Sequence, residues 1–98
     1  MIIVTGSILA KADSLDKLLT ISLEHVWRSR TEPGCLAHAV HRDAENPLRL
    51  VFLEEWTDKA TLAAHFAVPA SREFVKTARE LADAPPVINI YEATAVEM

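Results

Sequence analysis

Ninety-eight residues, half of them hydrophobic, with ten Lys and Arg against fourteen Asp and Glu, describe one domain over residues 1–98 with a net charge of −4. There is no basic run, no leader-like pattern and no long apolar stretch, so nucleic acid, secretion and a membrane span are not expected, and the lone cysteine fits a reducing cytoplasm. A chain this short hides only about 60–70 % of its unfolded surface, so the apolar surplus predicts a subunit interface, a ligand cavity, or both.

Residues 2–10, "IIVTGSILA", are rich in β-branched side chains and read as a strand, with Gly6 a point of bulging or close approach. Asp13 or Ser14 then caps a helix, because Leu15, Leu18, Leu19, Ser22, Leu23 and Val26 repeat with a 3.6-residue period. That helix runs to about Arg30, where Arg28 and Arg30 suit the negative end of its dipole. Pro33-Gly34 stops it and turns the chain. Residues 35–43 form a second strand, 44–47 a hairpin loop and 49–56, "RLVFLEEW", a third strand, which must pair antiparallel with the second. Thr57 or Asp58 caps a second helical region, broken at Pro69 and restarting near Ser71 to run to about Ala82. Residues 83–86 end it, and 87–96, "VINIYEATAV", form the last strand.

The order β-α-β-β-α-β predicts an α+β, ferredoxin-like domain, a four-stranded antiparallel sheet with its helices on one face. The first and last strands are apolar on both faces. A water-exposed sheet would not be, so the bare face is expected to pack against the same face of a second copy, giving a dimeric α/β barrel.

"EPGCLAHAVHRD", residues 32–43, brings Cys35, His38 and His41 close together in sequence. Strand alternation would point Cys35 and His41 one way and His38 the other, and the spacing matches no zinc signature, so no metal site is expected and Cys35 reads as a small packed hydrophobe. Glu54 shares a strand face with Leu50, Phe52 and Trp56, while Glu55 lies with Val51 and Leu53. A carboxylate among apolar residues needs a partner: either a salt bridge, or a histidine or substrate hydroxyl that it orients. His65 stands beside Leu62 and Phe66 on the second helix, one short turn from Trp56. An aromatic wall, a carboxylate and an imidazole around one cavity could bind and deprotonate a phenol. His38 and Tyr91, on other strands, are further candidates to touch substrate. His25, Trp27 and His41 read as surface or interface residues. With two glycines there is no phosphate loop, and neither a nucleophile elbow nor a dinucleotide, flavin or haem-attachment motif is present.

The "EPGCL" turn, the "HRDAENPLRLVFLEEW" hairpin and "TDKATLAAHFAVPASREF" resemble the antibiotic biosynthesis monooxygenase family, small quinol-monooxygenase-like dimeric α/β barrels. The likeness spans nearly the whole chain. It implies oxygenation of phenols, anthrones or quinols by O2 with neither metal nor organic cofactor. Glu54, Trp56, His65 and Phe66 fall in the family's motif: His65 would be base or hydrogen-bond partner, Glu54 its orienter, and Trp56 and Phe66 the walls, while His38 stands where many members carry an aromatic or polar residue. Haem-degrading relatives carry an asparagine on the first strand, where this chain has Thr5 and Ser7, so that activity is not expected. The competing reading is a non-catalytic dimeric module that binds a small apolar metabolite. An isomerase or aldehyde-handling enzyme of the same architecture rests on fold analogy alone.

Overall fold

The computed structural model describes residues 1–98. Strand β1 (Ile2–Leu9) is followed by helix α1 (Leu15–Ser29), strands β2 (Cys35–Arg42) and β3 (Arg49–Trp56), helices α2 (Lys59–Ala67) and α3 (Pro69–Leu81), and strand β4 (Val87–Glu92). The strands form one sheet in the order β2-β3-β1-β4, every neighbouring pair antiparallel. This is the expected α+β, ferredoxin-like arrangement.

The alternation of the pleat separates the two faces. Ile2, Val4 and Ile8 of β1 lie beside Trp56, Glu54 and Leu50 of β3, and all six are buried beneath the helices. On the other face Ile3, Thr5 and Ser7 pair with Glu55, Leu53 and Val51, no helix of the chain lies over them, and Leu53 and Tyr91 are about half exposed. The core falls into two apolar clusters. One holds Ile8, Leu18, Val26, Leu50 and Phe52; the other holds Ile2, Val4, Trp56 and Leu62. Glu54 stands between them on β3, and that gap is where the polar side chains gather.

The caps follow simple chemistry. Ser14 opens α1, not Asp13, yet its hydroxyl serves tertiary structure: it accepts from the Lys11 amide at 3.0 Å and donates to the Leu81 carbonyl at 2.8 Å. Asp58 caps α2 through a reciprocal box with Thr61, accepting from its amide at 2.8 Å. Val68 is extended, as the residue before a proline prefers. Pro69 then begins α3 itself, two residues before the expected restart at Ser71, because its fixed φ and missing N–H suit a first helical turn.

Three local expectations change. Gly6 is neither a bulge nor a tight approach: β1 pairs without a shift, and a Cβ there would find ordinary contacts at 3.5 and 3.7 Å. The last strand ends at Glu92, not 96, because its only partner is β1, which is used up once Ile2 meets Glu92. A bulge at Leu36 shifts the register of β2, so that Cys35 meets Trp56 and His38 meets Glu54. Cys35 therefore lies on the same face as His38, where unbroken alternation had put it opposite, and it packs against the Trp56 cluster. Burial, with Glu54 and Glu32 nearby, pushes its thiol pKa up.

Gly34 fixes the turn into β2. It adopts φ +80°, and a Cβ there would land on the Thr61 side chain. Its carbonyl accepts from the Thr57 amide at 2.9 Å. Gly34→Ala is expected to cost about 1–3 kcal/mol of stability, measured by urea unfolding. A midpoint equal to that of the unaltered protein would show that the turn relaxes freely.

Candidate active site

Four elements and one loop bring the polar groups together. Helix α1 turns His25 inward because it follows Leu18 and Ser22 on the buried stripe. Strand β2 supplies His38, β3 supplies Glu54 and Trp56, and α2 supplies His65. The loop between α1 and β2 supplies Glu32, just before the turn that Gly34 makes possible. His25, His38 and His65 are 5 %, 2 % and 3 % exposed, so the three imidazoles share one dry pocket of protein. Their ring centroids are 5.3 Å apart for His25–His38, 5.3 Å for His25–His65 and 5.6 Å for His38–His65.

Each imidazole has a different neighbour. His65 Nδ1 lies 2.8 Å from Glu32 Oε1. A carboxylate only accepts, so Nδ1 carries a proton, and in the neutral ring Nε2 keeps its lone pair. His65 also lies against the Trp56 ring, with centroids 4.6 Å apart. His25 Nδ1 lies 2.8 Å from Arg28 Nη2, which only donates, so neutral His25 is protonated at Nε2. Phe74 stacks on His25 at 4.1 Å with the planes 8° from parallel. Burial, then the other two histidines and Arg28, press the His25 pKa down to about 3. His38 Nε2 is 3.3 Å from Glu54 Oε1, but off the line of a good hydrogen bond, and both ring nitrogens of His38 are buried without a hydrogen-bond partner.

Glu54 is itself buried, and burial alone would raise its pKa. Contact and charge from His38, together with the Trp56 indole N–H donating to Oε1 at 2.9 Å, reverse that and hold the carboxyl below its usual range.

These groups form the inner wall of a cavity of about 390 Å³ that opens between the sheet and α3. His25, Glu54 and His65 reach it, and Phe52, Phe66 and Phe74 give it aromatic surface. The size suits a small aromatic ligand.

The sequence-based candidates separate clearly. Glu54, Trp56, His38 and His65 do come together, and Phe66 lines the cavity while remaining 42 % exposed. Trp56 and His38 back the wall but do not face the open space. Tyr91 pairs with Ile3 on the uncovered side of the sheet, away from the imidazoles. His65 is oriented not by Glu54 but by Glu32; Glu54 instead accepts from the Trp56 indole and lies beside His38. His25, read as a surface residue, is a full member of the cluster. Its spacing of three from Ser22 and seven from Leu18 was the signal for it. Glu32 carried no comparable signal, being a loop acid 33 positions from its partner.

A family model for antibiotic biosynthesis monooxygenase matches residues 1–77. An uncharacterised protein of Synechocystis sp. (sll1783) is 33 % identical over 91 residues, 93 % of this chain; the chain spans 62 % of the length of that curated relative. A crystal structure described as an antibiotic biosynthesis monooxygenase superposes with a TM-score of 0.89 at 28 % identity, covering 97 % of this chain and 100 % of the other. A conserved protein of Methanosarcina mazei Go1 gives 0.90 at 27 % identity, covering 95 % of this chain and 92 % of its own. No helix is long and apolar enough to cross a membrane.

Proposed function

The chain belongs to the antibiotic biosynthesis monooxygenase family, and on that footing we propose that it oxidises a small aromatic phenol, anthrone or quinol with O2, with His65 as the base. The observation that carries the reading is the Glu32–His65 pair. Its protonated Nδ1 is tied to a carboxylate, so its basic Nε2 is the atom left to act at a cavity of ligand size.

The chemistry needs little else. Nε2 takes the phenolic proton, and Glu32 stabilises the imidazolium that results. The phenolate passes an electron to O2, and the oxygen species and ring then combine at a C–H carbon. That carbon loses its hydrogen and gains one oxygen atom as a carbonyl, while the second oxygen leaves as water. The substrate supplies the electrons. Phe52, Phe66 and Phe74 exclude water and give the ring a stacking surface. Trp56 backs His65, and Glu54 fixes the Trp56 indole and faces His38.

The bare sheet face, where Ile3, Val51, Leu53, Val87 and Tyr91 are interleaved with polar residues, supports a homodimer packed sheet against sheet. The lone free cysteine and the absence of a basic patch support a cytoplasmic protein with no nucleic-acid or membrane partner.

The test is O2 uptake by chelator-treated protein across a panel of quinols and anthrones, with His65→Gln alongside. Uptake above the uncatalysed rate, lowered about 10²- to 10⁴-fold in the variant, is expected. Binding of the panel compounds with no uptake would favour the non-catalytic binding module. Undiminished turnover by a folded His65→Gln protein would remove His65 as the base.

A further inference from the structure

We propose that His25, His38 and His65 form a binding site for a divalent first-row transition cation of zinc's kind, with its open position facing the cavity. This goes beyond the oxygenase reading and competes with it, since the cation would occupy the nitrogen that serves there as the base.

The spacing of the rings is the first reason. A zinc–imidazole bond of about 2.0–2.1 Å puts the ring centre about 3.2 Å from the metal, so two histidines at a tetrahedral angle have centres about 5.2 Å apart. The three pairs here stand at 5.3, 5.3 and 5.6 Å. One nitrogen from each ring lies within 4.8 Å of the others. Small side-chain rotations close that to the roughly 3.3 Å that tetrahedral ligands require.

The second reason is the outer partners. Histidines that hold metals usually have their other nitrogen tied to a carboxylate or carbonyl. Glu32 holds His65 in this way, leaving Nε2, and Glu54 lies beside Nε2 of His38, leaving Nδ1. That Nδ1 is buried with no hydrogen-bond partner, a costly state for a polar atom and one that a bound cation would end. His25 needs one adjustment: Arg28 must release Nδ1 so that the proton can move there and free Nε2. Arg28 is only partly buried and near the end of its helix, so it has room to swing away. The carboxylates of Glu32 and Glu54 offset the charge of Arg28 and one of the two charges of the cation.

The donor set narrows the choice of ion. Three neutral imidazoles suit zinc, cobalt, nickel or copper and are poor ligands for magnesium or calcium. His25 and His65 line the cavity, so the fourth position is open to water or a phenolate.

The experiment uses the full chain, stripped with chelator and titrated with Co2+ and then Zn2+. One equivalent per chain is expected, with the visible absorption of four-coordinate cobalt that Zn2+ displaces. His25→Gln and His38→Gln should each weaken Zn2+ binding by about 100-fold or more, Glu32→Gln by about 10- to 100-fold, and His41→Gln, on the uncovered sheet face, not at all. Arg28→Leu should tighten binding. Should the histidine variants fail to fold, imidazole NMR of the unaltered protein decides the matter: Zn2+ must shift His25, His38 and His65 and spare His41. Sub-stoichiometric binding, binding indifferent to His38→Gln, or shifts centred on His41 would overturn the proposal. None of these readouts depends on turnover, so the site and the oxygenase reading stand or fall separately. Where turnover is present, Zn2+ should inhibit it and chelator should restore it.

Discussion

Glu32→Gln is expected to lower kcat for O2-dependent turnover by about 10- to 1000-fold while changing KM by less than about threefold. Glu32 does not reach the substrate. On the proposed reading it acts through His65, by fixing which ring nitrogen carries the proton and by stabilising the imidazolium formed as a phenol ionises. A glutamine can offer its carbonyl to the same N–H, so the ring keeps its place and substrate binding survives, but the negative charge is gone. The loss should therefore fall on the chemical step. A structural role alone would move stability and leave kcat intact, so kcat, KM and the urea midpoint are to be read on the same preparation. Glu54→Gln is the comparison. Its carboxylate bonds the Trp56 indole and faces His38, not His65. Equal kcat losses in the two variants would sink the assignment of Glu32 as the positioning residue.

A single charge on the uncovered face of the sheet is expected to separate the proposed dimer. Leu53 sits in the middle of β3, flanked by Thr5 on β1 and Ala39 on β2, and is 45 % exposed in the isolated chain. Ile3, Val51, Val87 and Tyr91 lie on the same side. Burying a leucine is worth about 1.5–3 kcal/mol, and in a twofold interface each substitution occurs twice. Leu53→Asp removes that gain and leaves two carboxylates facing each other without water, so the dissociation constant should rise at least about 10³-fold. Sedimentation across a range of concentrations measures this. A wild-type protein that sediments as a monomer at micromolar concentration, or a variant that stays dimeric, would remove the sheet-to-sheet packing. Because Leu53 points away from the helices, the fold of each chain should persist, visible as unchanged far-ultraviolet circular dichroism.

Most of the fold was legible in the sequence because it depends on patterns that repeat. The 3.6-residue period from Leu15 to Val26, the breakers at Pro33-Gly34 and Pro69, and the alternation in "RLVFLEEW" each constrain several residues at once. Alternation also placed Glu54 with Leu50, Phe52 and Trp56, as found. What was hidden depends on single events. The bulge at Leu36 inserts one residue and reverses the facing of Cys35, and nothing in "GCLAH" marks it. The Glu32–His65 contact forms only after Gly34 turns the chain and α2 docks, so no local pattern points to it. His25 is different: its spacing from Leu18 and Ser22 places it on the buried stripe, although a histidine among the charged residues late in the helix reads as surface or interface.

The two sides of the cavity belong to parts of the molecule with unequal hold on the rest. The imidazoles and carboxylates hang from β2, β3, α1, α2 and the loop before Gly34, all anchored in the buried layer. Part of the opposite wall is Val87 and Ile88 of β4, an edge strand bonded on one side only, with every residue exposed in the isolated chain. Local opening is cheapest where few apolar contacts and only one ladder of hydrogen bonds resist it. A second copy packed over Val87 and Tyr91 would therefore hold this edge of the cavity wall in place as well as bury it.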